Sequence, residues 1–205
     1  MNVVGIVPID LLAILRALET RGFFTMDEYN IALEDLGYPS YERNDKPCLV
    51  PTLRSKNISK LRGKAVSHLV HIRNFPLVLK RLGKNIDPDD PIVELGLLLH
   101  SIVERATANE FFHHEIDILE EEIFDFYDKR REAREQYENI FPRPKPKHHY
   151  LRYVLCIHCL DIGDGLMVIL YRHYPEMIRM FGPLLAYWTA RFESKVSGVY
   201  LCNYM

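Results

Sequence analysis

The chain is short of cysteine, of net charge and of uninterrupted apolar sequence, and each shortage removes a class of protein. Four cysteines in 205 residues, Cys48, Cys156, Cys159 and Cys202, are too few and too scattered for a disulfide framework. A reducing compartment, nuclear or cytoplasmic, is therefore expected. The formal net charge is only −2, with 26 Lys and Arg against 28 Asp and Glu, which is not the basic footprint of a self-sufficient nucleic-acid-binding domain. The apolar start from Met1 to Arg21 is broken by Asp10, and no small-residue cleavage site follows a basic start, so no secretory signal is expected. The one stretch with membrane character, Tyr153 to Tyr171, carries Asp161 and Asp164 at its centre. Each costs about 2.5–3.5 kcal/mol in mid-bilayer, which outweighs the flanking Leu, Ile and Val and argues against a span. Strand alternation bounded by hairpin turns is also missing.

What remains is helical signal along most of the chain. Charged residues make up 26% and hydrophobic residues 48%, ordinary values for a globular protein with a real core. Asp10 reads as an N-cap for Leu11–Leu18, with Gly22 as the left-handed terminator. Thr25 and Glu28 have capping-box spacing and open a short helix that Gly37 stops. Residues 38–56, with Pro39, Pro47 and Pro51, read as a loop. Helical spacing returns from Ile58 through Leu61, Ala65, Leu69 and Ile72, and Pro76 is expected to kink or divide that helix near Asn74. Asp89-Asp90-Pro91 is a strong helix start, and the segment Ile92–Ala106, apolar around most of its circumference, is expected at the buried centre. Thr107 and Glu110 repeat the capping-box spacing before the longest helix, expected to run to about Asn139. Its inner face is Phe112, Ile116, Leu119, Ile123 and Phe126, and its wet outer face runs from Glu120 to Glu135 and includes Arg130. The reading is all-α: an irregular bundle of about six or seven helices over residues 1–141, a Pro/Lys-rich linker at 142–149, and a C-terminal helical segment at 150–205.

Chemistry-bearing motifs are sparse. Cys156-Ile157-His158-Cys159 has the gap of a zinc half-site, but a closed tetrahedral site needs a second half, and only His148, His149 and His173 are near in sequence. His148-His149 and His113-His114 are consecutive and cannot both face one ligand on a regular element, unlike the i, i+4 histidines of HExxH. No metal site is expected.

The C-terminal quarter carries the most specific words. Pro146-Lys147-His148-His149-Tyr150-Leu151-Arg152 breaks off and resumes as His173-Tyr174-Pro175-Glu176-Met177-Ile178. Joined, the two read PKHHYLRHYPEMI, followed by Phe181-Gly182-Pro183-Leu184, Trp188 and Arg191-Phe192-Glu193-Ser194-Lys195. This string resembles the C-terminal region of transposon-derived animal proteins related to DDE-type transposases, most like the CACTA group. Arg73-Asn74-Phe75-Pro76-Leu77 and Asp89-Asp90-Pro91 match weaker recurrent points of that family, so the resemblance spans about residues 10–195 apart from the interruption.

The interruption has the form of untranslated sequence read through. Codons for Arg152-Tyr153-Val154 can spell AG, GTATGT and those for Lys195-Val196-Ser197 can spell AG, GTAAGT, both donor-type; Tyr171-Arg172 can carry an acceptor-type CAG followed by G. Residues 153–172 then read as a retained intron and 196–205 as the run into another, with a genuine apolar insertion as the alternative.

The resemblance implies that Glu193 is the last of three carboxylates that hold two divalent metals at a scissile phosphate. It also points to Lys145, Lys147, His148, His149, Arg191 and Lys195 as DNA contacts. The partners of Glu193 would sit on strands of a ribonuclease-H-like sheet that this chain does not signal. The implied activity is therefore that of a fragment without catalysis of its own, needing no cofactor alone, with Mg2+ belonging to an intact DDE-type protein. Its partners would be DNA in the intact protein, or a protein or second subunit bound through apolar helix faces; no membrane is implied. The competing expectations are a helical protein–protein interaction module and, third, a complete metal-dependent nuclease that Glu193→Gln would abolish.

Overall fold

A computed structural model of the chain describes residues 3–40, 42–52, 58–84, 86–108, 110, 112–143 and 179. Every regular element among them is helical: α1 Val3–Thr20, α2 Met26–Glu34, a single 3₁₀ turn at Arg43–Asp45, α3 Ala65–Arg81, α4 Pro91–Ala106 and α5 His113–Gln136. The all-α reading holds, with five α-helices among the described residues where six or seven were expected.

Local chemistry fixes several boundaries where the sequence placed them. Gly22 takes φ 77°, its N–H reaches Glu19 O at 2.9 Å and that of Phe23 reaches Leu18 O at 3.2 Å, closing α1 with the paired bonds of a Schellman motif. The Thr25 hydroxyl accepts from Glu28 N while the Glu28 carboxylate accepts from Thr25 N, so the capping box of α2 is complete. Asp90 accepts from Ile92 N and Val93 N at the start of α4 and also pairs with Arg21 at 2.7 Å, tying the end of α1 to the head of α4.

Helix α4 is the central element, as its composition implied, and packs on α1, α3 and α5. Its closest approach falls at Gly96, where a Cβ would lie 2.6 Å from Phe75 Cε1 and 3.3 Å from Ile14 Cγ2. Only a residue with no side chain lets the three helices meet there. The face Ile116, Leu119, Ile123 and Phe126 of α5 is buried against this layer. Phe141, beyond the helix, is fully buried as well, so the core extends past the end of α5.

Several expectations are corrected. Asp10 is no N-cap: α1 starts two turns earlier, runs through Pro8, and buries Asp10 completely. Its carboxylate pairs at 3.0 Å with Arg130 Nε, and Arg130, expected on the wet face of α5, is 2% exposed. Helix α3 begins at Ala65 rather than Ile58 and is not divided at Pro76. Proline removes the N–H that would bond the Ile72 carbonyl, and His100 Nδ1 of α4 donates to that oxygen at 3.0 Å instead, which also assigns the ring proton. Asn74 Nδ2 bonds Val70 O one turn earlier. Thr107 does not open α5; its hydroxyl donates to Val103 O at 2.8 Å and accepts from Arg73 Nη2, so it closes α4. The true start is His113, where the Glu115 carboxylate reaches back to Phe112 N at 2.8 Å and leaves the Phe112 ring largely exposed.

Candidate functional site

Every residue singled out from the sequence for catalysis or DNA contact, Glu193, Lys145, Lys147, His148, His149, Arg191 and Lys195, lies outside the described residues, as do Cys156, Cys159 and His173. The one described residue beyond the linker is Arg179. Its Nη2 meets Asp117 Oδ1 at 2.8 Å and Glu120 Oε2 at 2.9 Å on the exposed side of α5, and the two carboxylates raise its pKa further.

Within the bundle, polar groups gather at three places. The first is the buried pair Asp10–Arg130, whose Nη2 also donates to Pro142 O at 3.1 Å and so ties the start of the linker to α1 and α5. The second is Tyr29 on α2 with His71 on α3, 3.1 Å apart and both buried. Burial, helped by His68, pushes His71 down to about 3, so its ring is neutral and Nε2 accepts from the tyrosine hydroxyl. The same burial raises Tyr29 well above its ordinary value. With neither group able to meet a substrate or change charge near neutrality, the pair is structural. The third is a cleft of about 200 Å³ floored by Ile9, Leu12 and Ala13 of α1, walled by Ile58 and Ile140, and bordered by Arg16. Nε and Nη2 of Arg16 are buried and make no hydrogen bond to a described residue, and desolvation lowers its pKa.

None of these sets a nucleophile against a base. Among the described residues no group of three His, Cys, Asp or Glu is placed to hold a metal ion, and no helix is long and apolar enough to cross a membrane. His114 stacks on Phe112 with ring centroids 5.9 Å apart.

One feature escaped the reading by overall charge. From residue 46 to residue 86 the chain has ten Lys and Arg and no Asp or Glu, whereas the remainder has sixteen against twenty-eight. A charge count taken over windows reveals it; the whole-chain value averages it away. Three of these cations are taken up by folding, in the pairs Arg73–Glu104, Arg81–Asp35 and Lys84–Glu28. Lys60, Arg62 and Lys64, at the entrance to α3, are exposed and enter no ion pair among the described residues.

No family model, no curated protein and no solved structure matches this chain.

Proposed function

We propose that this chain is the helical C-terminal portion of a transposase-like protein derived from a DDE-type, CACTA-like DNA transposon, without catalytic activity of its own. The observation that carries the reading is the interrupted phrase at 146–152 and 173–178, followed by Arg191-Phe192-Glu193-Ser194-Lys195. The architecture is compatible with it, because the described core closes helix on helix and contains no sheet on which two further acids could converge. One carboxylate, Glu193, cannot assemble a two-metal site by itself. In the intact protein the helices would pack against the catalytic core and help hold DNA or a second subunit, and Mg2+ would bind there. The setting would be nuclear or cytoplasmic.

The test is the flanking genomic DNA and its transcripts. An upstream reading frame supplying two acidic residues on predicted strands, together with messages spliced within codons 152 and 172 so that one Arg codon is restored and leads directly to His173, is the expected result. Uninterrupted coding across both points in related copies, with no such frame upstream, would refute fragment and intron alike. The competing reading is a helical protein–protein interaction module; among the described residues the most exposed large apolar side chains are Ile31, Leu49, Leu77 and Phe112.

A further inference from the structure

The acid-free run from residue 46 to residue 86 needs a physical account. Ten cations without an intervening acid repel one another, and the fold relieves this for Arg73, Arg81 and Lys84 by setting them against carboxylates of α4 and α2 and of the turn after α2. It does nothing of the kind for Lys60, Arg62 and Lys64. These three side chains stand exposed within five residues, yet the segment bearing them is fixed to the bundle. Leu61, between the first two, is 2% exposed, and its N–H donates to Pro8 O on α1 at 2.7 Å. The cations are therefore presented from a held backbone.

The end of α3 adds to the same field. Lys64 is its N-cap and gives no side-chain hydrogen bond, and no acidic residue occupies the first turn. The leading N–H groups and the positive end of the helix dipole thus reinforce the three side-chain charges.

We infer that Lys60, Arg62 and Lys64 form a contact surface for the phosphate backbone of duplex DNA. The inference rests on charge placement and not on transposon ancestry, and it concerns residues other than the basic ones at 145–149 and 191–195. Cations without a carboxylate partner among the described residues match a regular line of phosphates, which asks for positive charge and little shape. Between residues 58 and 66 no aromatic residue is available to stack on unpaired bases, which favours a duplex over a single strand. Val66 is the only large apolar side chain exposed there, too little to anchor the loop in a bilayer.

The experiment is fluorescence anisotropy of a labelled DNA duplex titrated with the full chain at several salt concentrations, beside the triple variant Lys60→Ala, Arg62→Ala, Lys64→Ala. Three phosphates neutralised give a log–log salt slope of about −2.7, roughly a 40-fold loss of affinity between 50 and 200 mM salt. The triple variant, shown by circular dichroism and thermal melting to fold like the parent, should bind roughly tenfold more weakly or worse at the lowest salt and lose most of that slope. Arg131→Ala, at an exposed site on α5, is expected to bind as the parent does.

Unchanged affinity in the triple variant would overturn the inference, and so would failure of the parent to bind duplex at low salt. Preference for a single strand, or for vesicles containing phosphatidylserine, would assign the surface to another partner and overturn it equally. Ancestry is decided by the flanking genome, so either conclusion can fail alone.

Discussion

Mild acid should destabilise this bundle through one imidazole, that of His71. The ring is 1% exposed on α3, accepts a hydrogen bond from Tyr29 and has its pKa pushed down to about 3 by burial and by His68. In the unfolded chain the same group titrates at about 6.5. The folded value is the lower one, so its contribution is fully present above about pH 6.5 and is lost as the pH falls toward 3, because only the unfolded state takes up the proton in that window. Between pH 7.5 and 5.5 the loss from this single group works out at about 1.4 kcal/mol. His68, whose pKa is also lowered, adds a loss of the same sign.

Urea unfolding at the two pH values, on the parent and on His71→Gln, isolates the His71 share. Glutamine keeps a polar partner for the tyrosine hydroxyl but does not titrate, so the drop in stability should shrink by about 1.4 kcal/mol in the variant. In the folded parent, NMR of the His71 ring should report a neutral imidazole at pH 5. Equal pH dependence in parent and variant, or a His71 resonance that titrates near 6.5, would refute the reasoning.

Three further outcomes follow from the packing. Gly96→Ala drives a methyl into the Phe75 ring at 2.6 Å; overpacking of about 1–3 kcal/mol should exceed the roughly 1 kcal/mol gained in helix propensity, and chemical denaturation should show net destabilisation that Phe75→Leu relieves. Arg130→Met removes the cation that pairs at 3.0 Å with the fully buried Asp10 carboxylate and should cost about 3–5 kcal/mol, whereas Asp10→Leu with Arg130→Met should recover most of it, a difference read from thermal melts. His100→Leu removes the donor to the Ile72 carbonyl and should cost about 1–3 kcal/mol in the parent, but clearly less once Pro76→Ala restores the missing helical N–H, which a double-mutant cycle would measure.

The readings that held and those that failed differ in range. Thr25 and Glu28 are three residues apart and satisfy each other whatever else the chain does; Gly22 and Asp90-Pro91 are equally local. The inner face of α5 from Ile116 to Phe126 was legible because helical periodicity records which side is apolar. Asp10 failed because its partner is 120 residues away, and a carboxylate before an apolar run reads as a cap until that partner appears. Pro76 failed for a kindred reason: local chemistry predicts a break, and only a histidine from the neighbouring helix supplies the lost bond. Thr107 had two uses open to it, capping the next helix or closing the previous one, and contact with Arg73 accompanies the second. The basic cluster at residues 60–64 was present in the sequence but hidden by a balanced total. Its freedom from ion pairs depends on where the acids of other helices come to lie.

The sequence by itself determined the helical class, several helix ends and most of the apolar faces, since these follow from hydrogen bonds and side-chain spacing within a few residues. Which charges are buried and which stay free was decided by tertiary structure alone. A charge can enter the core only when a partner converges on it from a distant segment, as Arg130 does on Asp10, and that convergence is a property of packed helices rather than of any stretch of chain.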